Sequence, residues 1–256
     1  MNPVASLGGW AVDVVLGLGR FSRFSASIVG ASLSPFRGRR LMDEIYEIGV
    51  RSLPIICISG ASVGSVLGLQ GYASLARFGA EDLLGSGVGL VLIRELGPVV
   101  TSLLVTGRAG SAIAAQIGAM VATEQLDGLR MMSVNPVGYV VAPKALAMII
   151  VMPLLSALFI SFGLLGGYLV GSALLGVDGG RYLSGLESVI SFEDDVLISV
   201  LKSLVFGALV GAIATYYGFM ARPNSAGVSS ATTTTVVIGS VATLIVDYVI
   251  TALWGV

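Results

Sequence analysis

The sequence predicts an all-α membrane protein, and three observations carry that expectation. Apolar residues make up 55% of the 256 and charged residues only 11%, against about 25% charged in an ordinary soluble domain. Five long apolar runs punctuate the chain, each near the roughly 20 residues that a helix needs to cross a bilayer core. These runs are rich in Leu, Ile, Val, Ala and Gly and lack the period-two alternation of barrel strands, which favours helices. The formal charge of −1 argues against a nucleic-acid partner.

Residues 1–35 form the first unit. Val4 to Leu18, with Trp10 and Asp13, is amphipathic and has no basic stretch ahead of it, unlike a cleaved signal peptide. An interfacial helix lying on the membrane is expected there. Residues 36–256 then hold spans at about 50–71, 84–107, 145–174, 196–217 and 233–254. The third run fits one tilted helix, or one bent at Pro153, because two spans would each be too short.

Lysine and arginine asymmetry orients the spans. Arg20, Arg23, Arg37, Arg39, Arg40 and Arg51 precede or open the first span. Arg108, Arg130 and Lys144 lie in the 108–144 connection, and Arg222 in the 218–232 loop. The opposite side has only Arg77 and Arg181, while its 176–195 loop carries Asp178, Glu187, Glu193, Asp194 and Asp195. The N-terminus is therefore expected in the cytoplasm and the C-terminus outside.

Four ionisable residues remain inside spans: Arg94, Glu95, Lys202 and Asp247. Such charges are costly in hydrocarbon and mark functional positions. Arg94 lies ten residues into the second span, roughly 15 Å deep and near the midplane. Two readings of it stay open: a cavity-facing guanidinium suited to gripping a phosphate with two nitrogens, or an interhelical pair with a carboxylate. Glu95 points about 100° away from Arg94, so the two do not simply neutralise each other. Lys202 and Asp247 both lie roughly 10 Å from the outer end of their spans and are placed to pair.

Small residues recur at spacing four: Gly60, Gly64 and Gly68; Gly163, Gly167 and Gly171; Gly207 and Gly211. Such stripes let helix backbones approach closely, and an intramolecular seam is the first expectation. Between the second and third spans, Gly107-Arg108-Ala109-Gly110-Ser111-Ala112 leads into two short helices. Ile113, Ile117 and Met120 have helical spacing, and Thr123 is expected to cap a helix from Glu124. Leu126, Leu129 and Met132 on one side of that helix, with Glu124, Gln125 and Asp127 elsewhere, suit a groove in a cytoplasmic partner.

Several chemistries are excluded. No histidine and one cysteine, Cys57, leave no internal disulfide, no His/Cys metal site and no histidine base. No phosphate-binding G-x-x-x-x-G-K-[ST] loop occurs, so this chain is not expected to hydrolyse ATP.

The segments Val66-Leu67-Gly68-Leu69-Gln70-Gly71-Tyr72, Leu92-Ile93-Arg94-Glu95-Leu96-Gly97-Pro98, Gly107-Arg108-Ala109-Gly110-Ser111, Thr123-Glu124-Gln125-Leu126 and Ser225-Ala226-Gly227-Val228-Ser229 carry a resemblance to the MlaE/YrbE permeases of ABC-type, MCE-associated lipid transporters. It covers about residues 40–254. The resemblance implies a homodimeric permease in the bacterial inner membrane, with its C-terminus periplasmic. It also implies an ABC ATPase subunit that binds ATP-Mg, a periplasmic MCE-domain protein and a small STAS-domain subunit. The cargo would be phospholipid moved between inner and outer membranes, which maintains outer-membrane asymmetry.

In that resemblance the Thr123 to Met132 segment, with Thr123, Glu124, Gln125, Leu126, Leu129 and Met132, is the helix coupled to the ATPase. The lipid cavity falls to Leu67, Leu75, Phe78, Arg94 and Leu96, where Phe78 stands in the place of a family tyrosine and brings no hydroxyl. Two readings from other classes predict different behaviour. An ion-coupled secondary transporter would use Glu95 or Asp247 and carry inverted repeats, none of which is visible. A non-transporting scaffold for an MCE protein would assemble without moving lipid.

Overall fold

The protein is described by a computed structural model covering the backbone of residues 3–32 and 38–254, and the described residues contain helices and no strand. The helices are α1 (Pro3–Ser32), α2 (Gly38–Gly49), α3 (Leu53–Leu75), α4 (Leu84–Val91), α5 (Gly97–Val105), α6 (Ser111–Ala122), α7 (Gln125–Met131), α8 (Ala142–Tyr168), α9 (Gly179–Val189), α10 (Leu197–Phe219) and α11 (Ser225–Trp254). They join into five columns long and apolar enough to cross a membrane: Gly38–Phe78, Glu81–Ala122, Val137–Leu174, Asp194–Phe219 and Ser225–Trp254.

Each expected span lies inside one column, and the columns run longer because short wide turns join helices without breaking them. Leu92–Leu96 joins α4 to α5, and Thr106–Gly110 joins α5 to α6, both with π-type winding. The Gly107–Ala112 segment is therefore helix interior, and α6 continues the second span where a loop helix was expected. Pro153 sits inside α8, so the third run is a single helix as expected. The chain reverses where left-handed backbone is available, with φ of 66° at Gly79 and 76° at Gly176.

The seam between α3 and α8 depends on the absence of side chains. A Cβ on Gly64 would stand 1.8 Å from the Gly163 carbonyl oxygen, and one on Gly60 would stand 2.6 Å from that of Phe159. From the other side, a Cβ on Gly166 would stand 2.3 Å from the Ala61 carbonyl oxygen. The stripe is the intramolecular seam expected from its spacing, two backbones in contact where no hydrophobic effect operates between helices. Gly207 repeats the device between α10 and α8, where an added Cβ would meet the Met148 carbonyl oxygen at 2.9 Å.

Two cations expected in loops are instead spent inside the bundle. Lys144 is 7% exposed and bonds Glu44 at 2.7 Å and Gln116 at 2.7 Å, tying α8 to α2 and α6. Arg108 Nη1 donates to the carbonyls of Glu47 and Ile48 and to Ser52 Oγ at 2.8–3.1 Å. It thereby satisfies carbonyls left open where α2 ends. The cationic residues of the 108–144 connection thus shrink to Arg130 in the short α7 region.

At the opposite end, α9 packs on α4. Asp178 caps α9 by accepting from the Arg181 N–H at 2.9 Å. The Arg181 guanidinium clamps Asp82 at 2.9 and 3.1 Å, and that pairing holds its pKa above the usual arginine value. Tyr182 is 1% exposed, its hydroxyl has no hydrogen-bond partner among the described residues, and burial pushes its pKa up to about 12. Because the unfolded phenol ionises near pH 10 and the folded one resists, stability should fall as pH rises from about 10 to 12. Tyr182→Phe removes both the unpaired hydroxyl and that pH dependence. Melting curves of the variant should match or exceed the parent at pH 8 and flatten above pH 10; a loss at pH 8 would show that the hydroxyl is used.

The second half of α1 packs across α8 and α10 near the α7 end of the bundle. Phe24 is buried and its ring meets Tyr216 at 5.5 Å and Phe219 at 5.4 Å between centroids. A helix spans the expected Val4–Leu18 segment, while the side chains of Trp10 and Asp13, like Arg37, lie outside the described residues.

Candidate functional site

The wide turn Leu92–Leu96 carries Arg94 and Glu95 and precedes Gly97-Pro98. Pro98 has no N–H to give the carbonyl of Arg94 four residues earlier. Lys202 Nζ, reaching from α10, takes that carbonyl at 3.0 Å. Its other two hydrogen bonds go to Glu95 Oε2 at 2.9 Å and Thr251 Oγ1 at 2.8 Å. All three ammonium donors are used, and Lys202 is 1% exposed. Asp247 Oδ1 lies 3.1 Å from the same nitrogen, an ion pair whose geometry is off the line of a hydrogen bond.

The expected Lys202–Asp247 pair is thus present, with Glu95 as a third member. Arg94 and Glu95 diverge as their spacing requires. Glu95 turns to Lys202, while Arg94 Nε donates to Asp195 Oδ1 at the start of the fourth column. Asp195 is fully buried and also accepts from the Ser191 N–H at 2.8 Å. Arg94 therefore makes the interhelical carboxylate pair of one reading and also lines a cavity, the geometric condition of the other. Helical side chains lean towards their own N-terminus, and the contact with Asp195 draws the guanidinium towards the α9 end of the bundle.

That cavity, about 540 Å³, is lined by Leu90, Val91, Arg94, Glu95, Asp194, Ile198, Lys202, Thr251 and Trp254. The Arg94 side chain is 45% exposed, whereas that of Asp195 is 1% exposed. A second hollow of about 290 Å³, lined by Leu67, Gln70, Gly71, Ser74, Leu75, Leu84, Gly87, Val88 and Val91, shares Val91 with it. Charged groups border the first hollow, and the second is mainly apolar, which suits an amphiphile with its polar end at Arg94 and its chains along α3 and α4.

The structure therefore brings Leu67 and Leu75 together and sets Arg94 in the adjoining hollow. Leu96 packs against the core, and Phe78, 84% exposed before the Gly79 turn, lines neither hollow. Asp195 and Val91 are additions that sequence reasoning misses. The signal for Asp195 is an acid within one residue of a span boundary, which a fourth run beginning at 196 leaves in the loop.

At the other end, the short α7 helix begins differently from expectation. Glu124 precedes it in left-handed backbone with φ of 58°. Thr123 Oγ1 donates backwards to the Ala119 carbonyl at 2.8 Å and does not cap α7. Thr123, Glu124 and Gln125 are exposed, Leu129 is partly buried and Leu126 is buried. The protruding apolar residues are Met131, at 84% exposure, and Met132.

Comparison with known proteins places this geometry in context. The family described as Permease MlaE matches residues 41–253. The intermembrane phospholipid transport system permease protein MlaE of Haemophilus influenzae is 45% identical over 99% of this chain and 97% of its own length. A probable ABC transporter permease protein of Rickettsia bellii is 37% identical over 99% of this chain and 98% of its own. The Arabidopsis thaliana chloroplastic protein trigalactosyldiacylglycerol 1 is 29% identical over 84% of this chain and 61% of its own.

Proposed function

From a chain that belongs to the MlaE permease family, we propose the membrane half of an ABC-type transporter that moves phospholipid between the inner and outer membranes and so maintains outer-membrane asymmetry. It lies in the bacterial inner membrane with its N-terminus cytoplasmic and its C-terminus periplasmic. Two copies assemble over two ATPase subunits that bind ATP-Mg, with an MCE-domain protein on the periplasmic side and a STAS-domain subunit below. The protein itself is not an enzyme.

The observation that carries this reading is the pair of adjoining hollows, one bearing the half-exposed Arg94 and one walled by Leu67, Leu75 and Val88. Arg94 takes the phosphate through its guanidinium fork, and the apolar hollow takes the acyl chains. A second copy closes over the exposed face of α3. At the cytoplasmic end, α7 is the coupling helix: Leu126 anchors it in its own bundle while Met131 and Met132 reach the ATPase. ATP-driven closure of the ATPase pushes on α7 and reshapes the cavity, so that lipid affinity differs between the two states and drives release.

Arg94→Ala should reduce phospholipid retained on the purified complex about tenfold, as expected for loss of a charge-assisted bidentate contact. Quantitative lipid mass spectrometry, with monodispersity checked on the same sample, reads this. Unchanged retention and unchanged transfer would overturn the assignment.

A further inference from the structure

Asp195 sits at the start of the fourth column with both oxygens engaged, Oδ1 by Arg94 Nε and Oδ2 by the Ser191 N–H. It approaches the guanidinium from the protein side, where it is sealed from the cavity, while Arg94 faces the open hollow. Among the described residues, the terminal nitrogens of Arg94 have no hydrogen-bond partner. The guanidinium is thus tied by its inner nitrogen with its two-pronged end turned to the cavity. Behind it stands a carboxylate that no ligand needs to displace.

We infer that Asp195 is a positioning residue that sets the strength of the Arg94 grip on a phosphate, an inference that rests on the proposed lipid site. Two effects act together. The Nε contact fixes the direction of the fork, and the buried negative charge a few ångströms behind it offsets part of the attraction that Arg94 exerts on a phosphate. Lys202, which lines the same cavity, does not compensate, because its charge is already matched by the Glu95 and Asp247 carboxylates at 2.9 and 3.1 Å. A transporter must release what it binds. A guanidinium without this counter-charge would hold the phosphate too long, so Asp195 trades affinity for turnover.

The discriminating variant is Asp195→Asn, which keeps size and an oxygen for Arg94 Nε while removing the charge. In detergent-purified complexes with the partner ATPase, loaded with a trace-labelled phosphatidylglycerol, retained labelled phospholipid should rise roughly threefold to tenfold, and its ATP-driven release should slow in proportion. A merely structural aspartate predicts the opposite pattern, with retention and melting temperature falling together, and that result would overturn the inference. Arg94→Gln/Asp195→Asn strands no buried charge and supplies the second arm. Because Asp195 acts through Arg94, its retention must fall below the parent value; retention above the parent would also overturn the inference. Absence of retained phospholipid in the parent complex would defeat the lipid-site reading itself, whereas parent retention with no gain in Asp195→Asn would defeat this inference alone.

Discussion

Gly64→Ala should abolish accumulation of a folded chain. The added methyl would stand 1.8 Å from the Gly163 carbonyl oxygen, about half an ordinary contact distance, and the obstacle is backbone, not a movable side chain. Relief requires α3 to back away from α8 along its length, which opens the flanking contacts at Gly60, Gly68 and Gly166. In a membrane that lost packing is the main source of helix association. The cost should reach at least about 3 kcal/mol, at the upper end of overpacking penalties. Gly87→Ala is the control, since nothing among the described residues lies within 4 Å of the place its methyl would take on α4. Fluorescence-detected size exclusion in detergent should show loss of the monodisperse peak for the first variant and an unchanged peak for the second. Equal behaviour of the two would mean that the seam is looser than described.

Lys202→Met should be comparably severe, through charge. Methionine fills similar volume, but Glu95 and Asp247 lose their common cation, Thr251 loses a donor, and the Arg94 carbonyl is left beside a proline that cannot serve it. Removing one partner from a buried ionic group costs about 3–5 kcal/mol, most of it the penalty of the stranded charges. Thermal melting of the purified protein should show this drop. Lys202→Met/Asp247→Asn, which removes one stranded carboxylate, should recover part of it. A single variant as stable as the parent would show that both carboxylates are hydrated from the cavity and that Lys202 is dispensable to the fold.

Features set by local pattern are legible in the residues themselves. The five columns follow from apolar run length, the α3–α8 seam from glycine spacing, and the divergence of Arg94 and Glu95 from helical geometry. What escapes depends on the third dimension or on backbone details that carry no side-chain signature. Arg108 and Lys144 look like loop cations because the second apolar run ends at 107 and the third begins at 145. The wide turn Thr106–Gly110 carries the helix on, and their partners on or just beyond α2 lie about 60 and 100 residues away. Thr123 looks like a cap, but its hydroxyl is equally able to bond the preceding turn, and the reversal at Glu124 uses left-handed backbone rarely adopted by that residue type.

The residues proposed to meet lipid show the same division. Leu67 and Leu75 lie two helical turns apart on one face of α3 and meet in one hollow. Phe78, only three positions later, passes out of the helix into the exposed turn before Gly79. Asp195 pairs with Arg94 only once the 176–195 segment has folded back over α4. It is buried deeper than the cation it holds.

Reconstitution tests the central claim most directly. The chain should be placed in proteoliposomes with and without the proposed ATPase and MCE-domain partners, and transfer of a labelled phospholipid followed after ATP is added. The account predicts transfer only when the ATPase is present and ATP is hydrolysed, at a rate that falls with Arg94→Ala. Transfer by the chain alone under an ion gradient, with no need for ATP, would contradict it.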